Sequence, residues 1–114
     1  MGYVVKTLEK HPAAKCEVRI YDNGTIEMVS YTTKIVKATP YSRSPGVILY
    51  CIEAVEEGRY SDPNEESRIY SPTTARQISA FLQEYFVGAS YANFKLMAEG
   101  KRQVPMIAEL RRIM

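Results

Sequence analysis

The sequence predicts a single α+β domain over residues 1–114, with a mainly antiparallel sheet of four to five strands followed by two or three helices packed on one face. The chain of 114 residues is long enough for one domain. Its 46% hydrophobic and 25% charged residues match an ordinary globular protein. Apolar residues alternate with polar ones in the first half, and from Ser71 onward they recur with helical spacing. Strands that precede helices in this way are typical of α+β domains.

The clearest local signal is a β-hairpin over residues 16–30. Two alternating segments flank the turn sequence Asp-Asn-Gly that ends at Gly24. A two-residue turn would place Ile20 opposite Glu27 and would mix apolar and charged residues on both faces. A three-residue loop with Gly24 in the left-handed conformation gives one apolar face and one charge pair, so the sequence favours this bulged loop. Its cross-strand pairs are Ile20 with Ile26, Val18 with Met28, and Arg19 with Glu27.

Further strands follow the hairpin. Residues 32–38 predict a weaker strand that ends at Thr39-Pro40, before a turn-rich stretch over residues 42–46. Residues 47–52 are apolar at consecutive positions, which predicts the most buried strand, covered on both faces or at least flanked by other strands. A polar segment over residues 56–67 then predicts an exposed loop, and residues 68–70 a short strand.

The second half of the chain predicts helices. Ser71 is a suitable N-cap for the main helix, Pro72 suits its first position, and Gly88 is a suitable end. Residues 90–99 and 105–113 predict two shorter helices, the last with an apolar stripe that covers the domain's own core or pairs with a second copy. In the main helix, the predicted buried face consists of Ala75, Ile78, Phe81, Leu82 and Tyr85. The predicted solvent face consists of Arg76, Gln77, Ser79, Gln83 and Glu84. The stripe of the last helix consists of Met106, Ile107, Leu110 and Ile113 or Met114.

An acidic segment joins the strands to the helices. Residues 53–66 contain six acidic residues, one basic residue, Arg59, and the aromatic residue Tyr60. The acidic residues are Glu53, Glu56, Glu57, Asp62, Glu65 and Glu66. Such a run is typical of a solvated loop, but it can also imitate nucleic-acid phosphate and occupy a basic groove on a partner. Both interpretations stay open.

The start of the main helix contains groups that can bind an anion. Ser71, Thr73 and Thr74 bring hydroxyls, Arg76 brings a cation, and the first turn has free backbone N–H groups. The alternative is that Ser71 caps the helix, the threonines satisfy the remaining donors and Arg76 faces solvent. The helix start is almost adjacent in sequence to the acidic segment, and together they form the predicted partner-binding surface.

No residue pattern in the sequence predicts catalysis. The single histidine, His11, lies beside a proline in a polar segment, and neither Cys16 nor Cys51 belongs to a nucleophile, redox or zinc motif. The acidic segment also lacks the spacing of a calcium loop. We therefore expect a protein that is not an enzyme and has no metal and no cofactor, with both cysteines as small core residues.

The N-terminal segment and the net charge indicate the expected cellular location and restrict the expected partners. The sequence has no signal-peptide core, no myristoylation signal and no apolar run long enough to span a bilayer, which predicts a cytoplasmic protein without membrane contact. A net charge of +2 does not by itself predict nucleic-acid binding. Nine tyrosines, some beside Arg19, Lys34, Lys37 or Arg43, nevertheless leave a small nucleic-acid-binding regulator as the alternative hypothesis.

Two stretches resemble small uncharacterised proteins of bacteriophages and related mobile elements. The first is Tyr-Ser-Pro-Thr-Thr-Ala-Arg-Gln-Ile over residues 70–78, followed by Phe81 and Leu82, and the second is the strand that ends Ser-Tyr-Thr-Thr at residue 33. Gln77 stands where those proteins often carry histidine. The resemblance implies an accessory protein that acts in a bacterial host cell, a setting in which non-enzymatic inhibitors of host defence, including anti-CRISPR proteins, are frequent. The resulting hypothesis is a stoichiometric inhibitor that binds a host or phage protein complex.

Overall fold

The described part of the chain forms a seven-stranded antiparallel sheet with two helices. The computed structural model describes residues 2–9, 16–31, 33–55, 72–98 and 106–111. The strands are β1 (Tyr3–Lys6), β2 (Cys16–Tyr21), β3 (Ile26–Ser30), β4 (Thr33–Ser44), β5 (Val47–Ala54), β6 (Phe86–Val87) and β7 (Met106–Leu110). The helices are α1 (Pro72–Tyr85) and α2 (Tyr91–Ala98). In this part of the chain, neither helix is long and apolar enough to cross a lipid bilayer.

The strand order is β1-β2-β3-β4-β5-β7-β6. Strands β1 to β5 therefore follow one another as a meander, and β7 later inserts between β5 and the short edge strand β6. Both helices pack on the same side of the sheet, α1 against β3 and α2 against β5 and β7. We call the side covered by the helices the inner face and the opposite side the outer face. The α+β class is confirmed, but the prediction of four to five strands was too low.

The inner face follows from alternation along each strand. Val18, Met28 and Val36 are cross-strand neighbours and are fully buried, and Ile26, Ala38 and Ile52 form the next row. The two helices and β6 contribute large side chains to this core. These side chains are Ile78, Phe81 and Leu82 of α1, Phe86 of β6 and Phe94 of α2. Their ring contacts include Phe81 with Phe86, whose centroids lie 5.8 Å apart in an edge-to-face arrangement.

The β2–β3 hairpin confirms the predicted register. Ile20 lies opposite Ile26, Val18 opposite Met28 and Arg19 opposite Glu27. Gly24 adopts a φ of 92°, the left-handed conformation that the three-residue loop requires. The apolar side of the hairpin faces the helices, as the side-chain pattern predicted.

The next two strands differ from the predictions in length and burial. β4 continues through Pro40 to Ser44, because a bulge between Pro40 and Ser42 accommodates the proline and leaves Tyr41 as the extra residue. β5 is flanked by β4 and β7, as expected, but it is not the most buried strand. Its residues alternate in burial, whereas every residue of β3 is buried.

The predicted third helix over residues 105–113 was wrong, since this segment contains strand β7. Ala108 and Met106 lie opposite Tyr50 and Ile52 on the inner face, while Ile107 points outward. Met106, Ala108 and Leu110 fit strict alternation over this short stretch, and the edge of β5 supplies the backbone partners that favour a strand. The predicted homodimer through a C-terminal helix therefore loses its structural basis.

The main helix is confirmed, but it ends at Tyr85 and not at the predicted Gly88, and one residue of its predicted solvent face is buried. Gln77 was expected to face solvent, but it is only 2% exposed. Its side-chain carbonyl accepts a hydrogen bond of 2.7 Å from the hydroxyl of Ser30, which is also buried. α1 gives way to β6 at Phe86, and Gly88 follows with a φ of 79°. Helix α2 confirms the prediction over residues 90–99 in its position and type.

Candidate binding surfaces

The predicted partner-binding surface is described only in part. Six of its residues lie outside the described residues, as does Ser71 at the helix start. These six are Glu56, Glu57, Tyr60, Asp62, Glu65 and Glu66. Thr73 and Arg76 are exposed in the first turns of α1, and Thr74 is half-buried. Glu53 lies on the outer face because its neighbour Ile52 faces the core, so Glu53 and α1 lie on opposite sides of the sheet.

Alternating charges cross the outer face of the sheet. Arg19 on β2 lies opposite Glu27 on β3, Glu27 opposite Lys37 on β4, and Lys37 opposite Glu53 on β5. Opposite charges at directly facing positions stabilise an antiparallel register, and like charges would destabilise it. Glu53 therefore has a structural explanation as the last member of this row.

Glu27 is the most buried member of the row, at 6% exposure. Its Oε1 accepts a hydrogen bond of 2.6 Å from the Tyr21 hydroxyl, and its Oε2 lies 3.9 Å from the ammonium of Lys34. The bond to Glu27 is the main reason why the pKa of Tyr21 is raised. A carboxylate that is largely removed from water requires such partners, so Tyr21 and Lys34 stabilise Glu27 in its place.

An aromatic and cationic group lies beside this row, and we call Tyr3, Arg19 and Tyr21 the outer cluster. The Tyr3 and Tyr21 rings have centroids 5.1 Å apart, and the Arg19 guanidinium lies 5.0 Å from the Tyr3 centroid. Arg19 Nε also donates to Glu17 at 3.1 Å, and this bond is the main cause of the raised pKa of Arg19. The outer cluster is thus held in shape by ring contacts and an ion pair.

Strand β1 forms an exposed edge next to the outer cluster. Among the described strands it pairs only with β2, and all four of its residues are exposed, including Val4 and Val5. An edge strand presents unpaired backbone N–H and C=O groups that can pair with a strand of another chain. Lys6 is the only charged residue of β1, so charge alone does little to block this edge.

A cleft of about 550 Å³ lies on the inner face, where the β2–β3 and β4–β5 hairpins meet the C-terminal end of α1. Its walls include Ile20, Val47, Ile48 and Leu110, and the buried ring of Tyr50 also lines it. The Tyr50 hydroxyl donates a bond of 2.7 Å to the Gly24 carbonyl, which ties the two hairpins together. The volume falls within the roughly 300–1,000 Å³ of small-molecule sites.

Two arginines also line this cleft. Arg111 Nε donates to the Gln83 carbonyl at 3.0 Å and its Nη2 to the Phe86 carbonyl at 3.2 Å. Arg111 thereby places a cation at the C-terminal end of α1, which has no basic residue in its last turn. Arg43 lies opposite Ile48 on β5 and therefore shares its face. Burial raises the pKa of Tyr50, and the charge of Arg43 acts in the opposite direction, since the two groups are close.

The cysteines and carboxylates do not form a metal site within the described residues. No group of three or more His, Cys, Asp or Glu side chains there could hold a metal ion. Cys16 is buried in the core as predicted, whereas Cys51 is half-buried on the outer face and its thiol lies 3.8 Å from Glu53 Oε1. His11 lies outside the described residues, so the arrangement of Cys16, Cys51 and His11 considered from the sequence is untested.

Comparison of the chain with protein-family models, curated proteins and solved structures gives no match.

Proposed function

We propose that the protein acts stoichiometrically by binding another protein, and that strand β1 and the outer cluster form its main contact surface. The main support is the position of Tyr3, which is 44% exposed, contacts Tyr21 and Arg19, and lies on an edge strand that has no second partner among the described strands. Tyrosine and arginine are enriched among residues that dominate binding energy, and a strand edge can add a strand from a partner. Because the outer cluster is already held by its own contacts, little side-chain entropy is lost on binding.

The kind of partner follows from the sequence resemblance. Accessory proteins of phages and mobile elements often inhibit a host defence complex, so a bacterial protein complex of this kind, such as a CRISPR effector, is the proposed target. The acidic segment that contains Glu56, Glu57, Glu65 and Glu66 is proposed as a second contact, which would enter a basic groove of the partner by nucleic-acid mimicry.

Capture from a bacterial lysate tests the main contact. The immobilised protein should bind a defined partner saturably and in a fixed ratio, and Tyr3→Ala and Val5→Lys should each reduce capture at least tenfold, the size of a typical hot-spot loss. Tyr41→Ala is the matched control, since Tyr41 is 65% exposed in the β4 bulge away from β1. Equal capture by Tyr3→Ala, Val5→Lys and Tyr41→Ala would remove β1 and the outer cluster from the proposal.

Charge reversal tests the acidic contact separately. Replacement of Glu56, Glu57, Glu65 and Glu66 by lysine should weaken capture and reduce its dependence on salt. Capture that is unchanged by these four substitutions would leave the segment as a solvated loop.

Direct nucleic-acid binding is the second candidate. The contacting rings of Tyr3 and Tyr21 and the Arg19 guanidinium over the Tyr3 ring favour it, since bases stack on exposed aromatic side chains. The neighbouring carboxylates oppose it, because Glu17 pairs with Arg19 and Glu27 with Lys34. If the protein binds nucleic acid, it should retard single-stranded DNA or RNA in an electrophoretic mobility-shift experiment, and this binding should weaken as salt is raised. Neutralising Lys34 and Lys37 should also reduce the binding. No shift at low salt would eliminate this candidate.

A further inference from the structure

The inner-face cleft combines an apolar interior with a positive rim. Ile20, Ile48 and Leu110 are only half-buried although they pack against the core, and Val47 is exposed at the edge of the cleft. Apolar side chains that remain open to solvent on a concave surface favour an apolar ligand, because covering them removes hydrocarbon from water.

The charge in the cleft is of one sign. Among the described residues that line it, Arg43 and Arg111 are the charged ones, and none is acidic. An ion pair with a carboxylate of this chain would neutralise these arginines, but the two salt bridges of the described residues involve other side chains. The cleft is therefore complementary to an anion.

The two arginines differ in how firmly they are held. Two N–H groups of Arg111 are fixed by the backbone carbonyls of Gln83 and Phe86, which orients the guanidinium before a ligand binds. Arg43 lies on the β4–β5 hairpin, faces the same side as Ile48 and is exposed. Arginine offers a planar fork of donors that matches carboxylate and phosphate oxygens.

We infer that this cleft binds a small amphipathic anion, whose apolar chain lies against Ile20, Ile48 and Leu110 and whose carboxylate or phosphate head pairs with Arg43 and Arg111. This site lies on the opposite side of the sheet from the outer cluster, although its Ile20 lies opposite Val4 of β1. The protein then carries two surfaces of different chemistry.

Binding of defined amphiphiles tests this inference. Decanoate, decyl phosphate, octanoate and decanol are titrated below their aggregation concentrations into the full chain, and amide shifts are followed by NMR. Decanoate or decyl phosphate should shift the amides of Val47, Ile48 and Leu110, and whichever binds more tightly identifies the preferred head group. Octanoate should bind roughly tenfold more weakly than decanoate, since each buried methylene contributes about 0.8 kcal/mol. Decanol has the same chain length without the charge, so it should bind about two- to fivefold more weakly than decanoate, the loss expected for a partly exposed ion pair.

Matched variants separate the head-group contact from general charge. Arg43→Gln should lower the affinity for decanoate about two- to fivefold. Lys37→Gln removes the same charge from the outer face and should leave this affinity unchanged. Val47→Glu places a carboxylate at the cleft and should weaken binding further, and Val87→Glu is its control on the outer face. The inference is overturned if no lining amide shifts with either anion, or if decanol binds as tightly as decanoate and Arg43→Gln has no effect.

Discussion

The hydroxyl of Ser30 at the end of β3 donates a hydrogen bond of 2.7 Å to the side-chain carbonyl of Gln77 on α1. Both residues are buried, at 3% and 2% exposure. The bond fixes the N-terminal half of the helix over the last residue of β3. Its position explains why a polar residue is tolerated on the buried face of α1.

Removal of either partner of this bond should destabilise the protein. Ser30→Ala leaves the Gln77 oxygen buried without its donor, and we expect a loss of about 1–3 kcal/mol in the free energy of unfolding. Ser79→Ala is the control, because the Ser79 hydroxyl only accepts a 3.4 Å bond from Gln83 at the surface, and it should cost less than about 0.5 kcal/mol. Urea unfolding measures both. Equal losses in the two variants would contradict the role of the buried bond.

The β2–β3 loop should be more sensitive to alanine than the loop after β6. Gly24 and Gly88 both have left-handed backbones, with φ of 92° and 79°. A methyl group at Gly24 would lie 3.0 Å from Pro40 Cγ and close to the Tyr50 hydroxyl, whereas a methyl group at Gly88 would have no described atom within 4 Å. Gly88→Ala should therefore cost about 1–2 kcal/mol for the backbone alone, and Gly24→Ala clearly more. Thermal unfolding compares the two, and a larger loss at Gly88 would refute the crowding at Pro40.

The hairpin shows how far side-chain pattern alone can predict structure. Ile20 and Arg19 specify its register, since only one loop length places all apolar residues on one side. The position and type of both helices were predictable for a similar reason, because their apolar residues recur over several turns. The burial of Gln77 could not be predicted from the local sequence, because its partner Ser30 is 47 residues away in the chain.

The candidate surfaces were harder to predict than the fold. Strand β1 has four residues, too few for a pattern to predict a strand, and the exposure of Tyr3 depends on which side of β2 remains free. The cleft is formed by two hairpins and the last strand, and Arg111 joins it only because β7 is a strand. The five residues of β7 are too few to separate the helical period from the strand period, so the local sequence favoured a helix where the sheet provided partners.

Arg111 should stabilise the end of α1. Arg111→Gln weakens two bonds to backbone carbonyls and removes a cation from the negative end of the helix dipole, so we expect a loss of about 1–2 kcal/mol. Arg43→Gln removes an exposed arginine that lies in the same cleft but makes neither contact, and it should change stability by less than about 0.5 kcal/mol. Denaturant unfolding at low salt compares the two variants. An unchanged free energy of unfolding in Arg111→Gln would mean that water replaces the two hydrogen bonds of Arg111 without loss of stability.

Tyr21 should matter for stability through Glu27. Tyr21→Phe removes the donor to a carboxylate that is largely buried, so a loss of about 1.5–3 kcal/mol is expected, as for bonds to charged groups. Tyr41→Phe, at an exposed bulge position, should be neutral. If the Tyr21→Phe/Glu27→Gln double variant loses as much as the sum of the single variants, the two side chains are not coupled.

The thiol of Cys16 should make the protein less stable at alkaline pH. Burial is the main cause that raises the pKa of Cys16 to about 11, with Glu17 and Glu84 acting in the same direction. Above a pH of about 8.5, the unfolded chain loses a thiol proton that the folded chain retains. The folded state then binds more protons than the unfolded state, so the free energy of unfolding falls as pH rises, by at most about 1.4 kcal/mol per pH unit for one proton.

Urea unfolding between pH 8 and 10 measures this slope. Cys16→Ala should reduce the decline with pH, even though it also lowers stability at pH 8 by removing a buried sulfur atom. Cys51→Ala should retain most of the decline, because Cys51 is only half-buried and its pKa, though also raised, is less strongly affected by the loss of solvent. The slope, and not the absolute stability, is therefore the decisive quantity. A slope that Cys16→Ala leaves unchanged would assign the alkaline decline to the buried tyrosines, since burial also raises the pKa of Tyr50 and Tyr85.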